Sequence, residues 1–336
     1  MISILFTAAL LLPTPATAQA APAASDAPVL LRYRFTPGET LRYRHEKTER
    51  RAQNVGPSME SRQETVVSQK TLSVDEKGVV TLEMSYESIA LEGKLGPGQS
   101  FRFDSRETAG REVDAQERVL RAIVGRPFRA TIDAAGNVLS VEGFDEVIER
   151  VVASDGAAGK TNPYGAEIVK QMKQSMGNDA VKQALTQAFR TFPAEAVAPG
   201  GEWTTVTENH VPLVGTFRVE SRHRFSRREE ALGLPCVVID TEGTMGLASE
   251  SGSGFAGMLM RHTLKGGGLT ASLHFSPERG AVVKSTMRSE TRMQIEFPQK
   301  PGEGGRPNGP DYLPRGPIEE TSTVEFSMEL LLDAPK

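Results

Sequence analysis

Residues 252–257 have the glycine spacing of a nucleotide-binding loop. They read Gly-Ser-Gly-Phe-Ala-Gly and match the pattern G-x-G-x-x-G. A dinucleotide site needs this pattern between a parallel strand and a helix, because the N-terminus of the helix faces the pyrophosphate. Strand-like sequence lies on both sides of the run, so we interpret it as a flexible loop and predict no cofactor.

A second short motif resembles the catalytic loop of an aspartic protease. Asp240, Thr241, Glu242 and Gly243 follow one another, but the protease loop requires glycine directly after threonine, and a second copy is not evident. The single cysteine, Cys236, lies just upstream in an apolar, strand-like stretch. A cysteine in such a stretch is typical of a buried structural thiol rather than a nucleophile.

The histidines do not suggest a metal site. They are His45, His210, His223, His262 and His274. None has a second histidine or a cysteine at the spacing of metal ligands. His223 and His274 lie within strand patterns, where we expect surface or edge positions. A Ser-His-Asp triad assembled from distant residues remains open, although no nucleophile-elbow motif supports it. The sequence therefore predicts no catalytic, cofactor-binding or metal-ligating residue.

The charged residues predict a mixed, solvated surface. Lys and Arg number 39 against 43 Asp and Glu, and the net charge of -4 gives no reason to expect nucleic acid or an anionic membrane as a partner. The densest basic cluster and the glutamates that balance it are Arg222, Arg224, Arg227, Arg228, Glu220, Glu229 and Glu230.

The N-terminus predicts export. Residues 2–12 form an apolar run too short to span a bilayer, and small-x-small cleavage sites end at Ala18 and Ala20 with equal merit. We interpret residues 1–20 as a signal peptide, although no Lys or Arg precedes the run. The signal peptide predicts a periplasmic or secreted protein. Because the single cysteine lies far downstream, we expect no lipid anchor, and because no second hydrophobic segment approaches membrane-spanning length, we expect no integral membrane segment in the mature chain.

Alternation of apolar and polar residues predicts strands through most of the chain. After a disordered Ala/Pro leader at residues 21–28, residues 30–35 alternate, a turn follows at 36–39, and alternation resumes. This is the signature of a hairpin with one buried and one solvated face. Later strand pairs flank Asp-x-x-Gly turns at residues 75–78 and 133–136, where Asp caps the turn and Gly takes a positive φ.

The middle of the chain changes to helical spacing. We predict a helix within residues 143–153 and a longer amphipathic segment at 164–189, divided in two at Gly177. The apolar stripe of the second segment is Ile168, Met172, Met176, Val181, Leu185, Ala188 and Phe189. We expect this stripe to pack on a sheet; a stripe of ligand-contacting methionines is the alternative.

These elements together predict an α+β protein, predominantly antiparallel β. We expect large curved sheets, arranged as two related halves, with amphipathic helices from the chain middle packed on them. The predicted first β-rich half is 29–153, the helical bridge is 154–190, and the second β-rich half is 191–336, with a mobile Gly/Pro loop at 299–317.

Three segments carry a family resemblance. Residues 31–43 read Leu-Arg-Tyr-Arg-Phe-Thr-Pro-Gly-Glu-Thr-Leu-Arg-Tyr, residues 192–203 contain Phe-Pro and then Val-Ala-Pro-Gly-Gly-Glu-Trp, and residues 125–143 contain an Asp-x-x-Gly-x-Val step. Together they resemble an uncharacterised family of exported bacterial β-rich domains, a domain of unknown function. The resemblance covers most of the mature chain and implies no active site. The layout is also distantly analogous to the half-barrels of periplasmic lipoprotein carriers.

The sequence favours a non-catalytic envelope binding or scaffold protein. Alternating strands create an apolar face, which we expect to be concave and to hold a hydrophobic ligand between sheet and helices, unless the helices fill it. The alternatives are a hydrolase with a dispersed active site and a protein–protein interaction module. Possible partners are an apolar ligand or an envelope protein.

Overall fold

The structure is a computed structural model of the 336-residue chain. It describes residues 26–96, 98–108, 115–133, 136–154, 169–170, 173, 177–189, 192–211, 215–250, 261–296 and 316–332. The predicted signal peptide, the 252–257 loop and most of the 299–317 loop lie outside these residues.

Within these residues, twelve antiparallel strands form one sheet. They are β1 Thr40–Gln53, β2 Met59–Val74, β3 Val80–Gly96, β4 Gln99–Asp104, β5 Phe128–Ile132, β6 Val138–Glu142, β7 Glu202–Val211, β8 Gly215–Ala231, β9 Leu234–Glu250, β10 Arg261–Ser276, β11 Ala281–Glu296 and β12 Ile318–Leu330. The described helices are α1 Ala115–Ile123, α2 Phe144–Ser154 and α3 Asn178–Ala188. The α+β class with predominantly antiparallel strands is thus confirmed.

The sheet is continuous and open, which corrects the expectation of several curved sheets. Its order is β6-β5-β3-β2-β1-β12-β11-β10-β9-β8-β7, with β4 on the edge of β3, and it is not curled. The two predicted halves meet where β1 pairs with β12, from Tyr43 opposite Leu330 to Gln53 opposite Glu320. This pairing satisfies two strand edges that would otherwise be exposed.

Alternation along the long strands gives the sheet two chemically different faces. One face, which we call the apolar face, carries a row of residues that lie opposite one another on six neighbouring strands: His45, Met328, Ser285, Leu273, Ile239 and Phe225. The polar face carries, in the neighbouring register, Glu46, Ser327, Thr286, Ser272, Asp240 and Arg224. The predicted division into one buried and one solvated face follows from this two-residue period.

A first core lies at the β2–β6 end of the apolar face. Val119 of α1, Ile148 of α2 and Val181 of α3 are buried there with Leu82 and Ile132 of the sheet. The helix predicted at 143–153 is confirmed as α2. The described part of the second helical segment is α3, whereas Ile168, Met172 and Met176 lie outside the described residues.

The division at Gly177 has a clear physical cause. The Asn178 side chain accepts a hydrogen bond from the backbone N–H of Phe144 at 2.9 Å, and Asp145 accepts one from the backbone N–H of Asn178 at 2.9 Å. Each side chain therefore caps the N-terminus of the other helix. A Cβ at Gly177 would lie 2.4 Å from the Lys173 carbonyl oxygen, so only glycine fits.

A second core lies where residues 29–35 cross the ends of β8–β12. Tyr33 packs against Phe192 at 5.2 Å between ring centroids, and Phe192 packs against Phe275 at 4.8 Å. The predicted hairpin is wrong here: residues 30–35 do not pair with β1. The backbone bonds instead join Val29 to Val197 at 2.8 and 2.9 Å and Arg34 N–H to the Gly280 carbonyl at 3.0 Å, because the alternating side chains are buried by distant partners.

Candidate functional site

The described residues that were considered for chemistry lie on several strands of the sheet. Cys236 is buried, as expected for a structural thiol, and burial raises its pKa. Within the described part of the chain, no set of three His, Cys, Asp or Glu side chains is placed to hold a metal ion. The arginine cluster forms a mixed surface as predicted: Arg222 contacts Glu202 at 2.8 Å and Arg227 contacts Glu229 at 2.8 Å.

His223 is not at the surface, which corrects the prediction. Its side chain is buried on the apolar face, stacked on Trp203 with 5.2 Å between ring centroids. Nε2 lies 2.8 Å from the Thr205 hydroxyl and Nδ1 lies 2.9 Å from the Thr241 hydroxyl. Both ring nitrogens are thus satisfied by the neighbouring strands, and the histidine is a hydrogen-bonded core residue.

The other histidines lie in different environments. His45 packs edge-on against Phe326 on the apolar face, and burial lowers its pKa to about 4. His274 lies 3.4 Å from Glu229. Burial lowers the pKa of His262, and nearby Glu320 opposes this. The His210 side chain lies outside the described residues.

Two open hollows lie on the polar face, whereas the sequence predicted a concave apolar face. Their volumes are about 930 and 720 Å³. Arg222, Arg288 and Glu242 line the larger one, and Gly268 contributes bare backbone to its floor. Arg288 pairs with Glu325 at 2.9 Å, so charges in the hollows are matched by neighbours. This pattern is typical of a solvated sheet face.

The apolar face continues well beyond the second core. Its side chains there form a diagonal band across five strands, which we call the distal apolar patch: Val219, Met245, Leu269, Met287, Val324 and Phe326. Val219 is buried and the other five are partly exposed. Phe326 borders the second core, and the other five belong to neither core.

Two glycines lie within the patch, and apolar side chains pack closely beside them. A Cβ at Gly243 would lie 2.9 Å from Leu269 Cγ, and one at Gly267 would lie 3.2 Å from Met245 Cβ. Leu269 and Met245 therefore occupy the spaces that larger residues at the glycines would take. The alternation of β8–β12 indicates an apolar face here, but the register that aligns the six residues comes from long-range pairing.

A charged group borders the patch on β1, and we call it the cationic stripe: Lys47, Glu49 and Arg51. Lys47 lies opposite Phe326 and Glu49 lies opposite Val324. Glu49 contacts Lys47 Nζ at 2.9 Å and Arg51 at 2.6 Å. Burial opposes ionisation of Glu49, but its two cationic neighbours outweigh burial and hold the pKa of Glu49 below its ordinary value. The spacing of two residues between Lys47, Glu49 and Arg51 was the signal in the sequence that predicts them on one face of a strand.

No helix of the described residues has the length and apolar character required to cross a membrane. No curated protein matches the sequence. Among solved structures, the chain is similar to lipovitellin at 10% identity and a TM-score of 0.46, over 90% of this chain and 26% of that one. The chain therefore spans about a quarter of the lipovitellin chain.

Two further structures have lower similarity. DynF from the dynemicin biosynthesis pathway of Micromonospora chersina is 6% identical with a TM-score of 0.20, over 96% of this chain and 94% of its own. An outer membrane channel from Pseudomonas putida F1 is 6% identical with a TM-score of 0.18, over 93% of this chain and all of its own. At these values, none of the three carries a functional argument for this chain.

A family model matches residues 77–276. The match contains two of the three segments on which the predicted resemblance rested, residues 125–143 and 192–203, and leaves out residues 31–43. It covers more than half of the chain and lies within the β-rich sheet and its helices. The chain belongs to DUF6263, a family of unknown function.

Proposed function

We propose that the protein is a non-catalytic, exported binding protein that holds the apolar chain of an amphiphilic ligand on the distal apolar patch. The observation that carries the proposal is the position of the patch: five of its six side chains belong to neither core, and four of those five remain partly exposed. Contiguous apolar surface outside a core marks an interaction site, because water contact with it is unfavourable.

The space between sheet and helices is a poorer place for the ligand than the sequence suggested. Val119, Ile148, Leu82 and Ile132 are each 0% exposed there. Close packing of this kind leaves no room for an acyl chain. The proposed ligand therefore lies on the uncovered continuation of the same face, beyond the second core.

Methionine in the patch supports a flexible apolar ligand. Met245 and Met287 alternate with Leu269 along the diagonal, and the unbranched thioether side chain adapts its shape to irregular apolar groups. The hollows of the polar face, in contrast, are lined mostly by charged and hydroxyl-bearing residues.

Export and the division of the chain complete the proposal. We propose that residues 1–20 are a signal peptide, that the mature protein is periplasmic or secreted, and that residues 29–153 and 191–336 are related halves joined by a helical bridge. The intact mass of protein recovered from a bacterial envelope checks the first point, with cleavage expected after Ala18 or Ala20. A full-length mass in the cytoplasmic fraction would contradict it.

Binding of a neutral amphiphile tests the proposed ligand site. Monooleoylglycerol is titrated below its aggregation concentration into the wild type and into a Leu269→Glu/Met287→Glu double variant. Two carboxylates in the patch should weaken binding at least about tenfold, or about 1.4 kcal/mol, because an acyl chain cannot solvate them.

The matched control is Thr270→Glu/Thr286→Glu, which adds the same two charges to the polar face of the same strands. This variant should bind like the wild type. Equal loss in both double variants, or no binding by the wild type, contradicts the proposal. Lipid extraction and mass spectrometry of protein from its native envelope should also recover more acyl lipid than a control protein does.

A further inference from the structure

We propose that the ligand of the distal apolar patch is an anionic amphiphile, whose carboxylate or phosphate head is held by Lys47 and Arg51. This inference rests on the proposed function, because it names the head group of a ligand whose chain occupies the patch. It is carried by the charges of the cationic stripe and by their position at the border of the patch.

The stripe has two cations for one carboxylate. Lys47 and Arg51 both pair with Glu49, and neither forms an ion pair with another carboxylate of the described residues. The Glu49 side chain is 15% exposed, whereas those of Lys47 and Arg51 are 43% and 48% exposed. The carboxylate is thus enclosed between two cations whose donors still face solvent. A second anion could accept from both.

Cations on the polar face of the same region are neutralised differently. Arg42 forms a bidentate contact with Glu87, and Arg50 contacts both Glu60 and Glu325 at 3.2 and 3.4 Å. Glu87 pairs with Arg42 and with no second described cation, and Glu60 pairs in the same way with Arg50. Arg50 also shares Glu325 with Arg288. These two arginines thus differ from Lys47 and Arg51, which share the single carboxylate of Glu49.

Glu320 lies further along the apolar face and determines at which end of the stripe an anionic head group is favoured. Glu320 accepts a hydrogen bond from Gln53 at 2.6 Å, and these two residues face each other beyond Arg51. An anion is repelled from that end of the stripe. It is favoured near Lys47, which lies directly opposite Phe326 of the patch.

The width of the patch suits a long acyl chain. From β1 the sheet order runs through β12, β11, β10 and β9 to β8, which gives a path of about 24 Å at the ordinary spacing between strands. This path starts at Lys47 and follows Phe326, Met287, Leu269 and Met245. A single extended acyl chain with its head at Lys47 therefore lies over the patch along its whole length.

Three oleyl compounds with one chain and different heads test the assignment. Oleate, neutral monooleoylglycerol and cationic oleylamine are titrated into the full chain, and oleoyl lysophosphatidate is added to distinguish a phosphate from a carboxylate head. We expect an anionic compound to bind about tenfold more tightly than the neutral one, with oleylamine the weakest. Whichever anion binds more tightly identifies the head group.

The charge-removal variant is Lys47→Gln/Arg51→Gln. It should bind the anionic and neutral compounds equally, and Lys47→Arg should retain the preference because the positive charge is kept. The matched control is Arg44→Gln/Arg50→Gln, which removes the same charge from the polar face of β1 and should keep the preference. Thermal unfolding of each variant verifies that it is folded.

The possible failures are distinguishable. Equal binding of anionic and neutral compounds by the wild type overturns the head-group assignment and leaves the proposed function standing. An anion preference that survives Lys47→Gln/Arg51→Gln, or that disappears equally in the polar-face control, also overturns it. Binding of none of the four compounds overturns the proposed function itself.

Discussion

Two leucines on one strand show how the apolar face divides into a covered and an uncovered region. Leu273 and Leu269 of β10 lie four residues apart on the same face. Leu273 is 3% exposed within the second core, whereas Leu269 is partly exposed in the distal apolar patch. The same pattern of alternation thus produces a core at one end of the strand and a candidate binding surface at the other, and the difference lies in what the rest of the chain places over each.

Truncating the two leucines should give the largest contrast in stability. Leu273→Ala should lower the free energy of unfolding by about 2–5 kcal/mol, because it leaves a cavity in a closed core. Leu269→Ala should cost about 1 kcal/mol or less, because solvent already reaches this side chain. Chemical denaturation of both variants measures the difference, and equal losses would show that the patch is a third core.

Acidification should lower the free energy of unfolding through His45, which lies on the apolar face. His45 has an ordinary pKa of 6.5 that falls to about 4 in the folded protein because of burial, so the unfolded chain binds the proton more tightly. Stability is therefore complete above pH 6.5 and decreases by on the order of 3 kcal/mol as the pH falls to 4. Denaturation at successive pH values measures this slope.

The slope should be reduced in His45→Gln, which keeps a polar side chain of similar size without a titrating ring. A residual slope is expected from His262, whose pKa burial also lowers. If the variant retains the whole slope between pH 6.5 and 4, the assignment to His45 is wrong.

Removing a helix cap should loosen the cover of the first core. Asn178→Ala deletes the acceptor for the Phe144 N–H and should lower the free energy of unfolding by about 1 kcal/mol. The control is Asp179→Ala in the same helical turn, where a change within about 0.5 kcal/mol is expected. A similar effect of both substitutions would mean that the cap is not responsible.

The smallest changes in stability are expected from glycine substitutions on the two faces of the sheet. Gly266 has open space where a Cβ would lie, whereas a Cβ at Gly243 would meet Leu269 at 2.9 Å. Gly266→Ala should therefore stabilise the protein by about 0.5 kcal/mol through the unfolded chain, and Gly243→Ala should not. Thermal unfolding compares them, and the reverse order would contradict the described packing around Gly243.

The sequence predicts the local structure better than the long-range pairing. Alternation and the Asp-x-x-Gly turns predict strands: Asp75 accepts hydrogen bonds from the N–H groups of Lys77 and Val79, and Gly78 has a φ of 77°. The pairing of β1 with β12 depends on residues almost 300 positions apart along the chain, and no local pattern specifies it. One continuous sheet was therefore not predicted.

Two other differences have long-range causes, whereas the missed helix α1 has a local signal. Residues 30–35 alternate like a strand, but their backbone partners include Val197 and Gly280. Helix α1 was missed, although Val119 and Ile123 have the spacing of a helical face. The sequence predicts His223 at the surface. Its ring can be buried because hydroxyls of the two adjacent strands, from Thr205 and Thr241, satisfy both nitrogens.

The candidate site was predicted only as a class. An apolar face and an apolar ligand follow from alternation, but the sequence assigns the ligand to the space beneath the helices. Which part of the face is covered depends on where residues 29–35 and the helices pack, and those contacts are between distant segments. The sequence does not place Lys47, Glu49 and Arg51 beside the patch, since their relation to Phe326 requires the register of β12.

The position of the bound chain tests the central claim most directly. A photoactivatable long-chain fatty acid is irradiated with the full protein, and the crosslinked residues are located by mass spectrometry. We predict crosslinks in β9–β12 around Met245, Leu269 and Met287, and their loss in Leu269→Glu/Met287→Glu. Crosslinks concentrated in α1–α3 or on the polar face, or none above a protein control, would contradict the account.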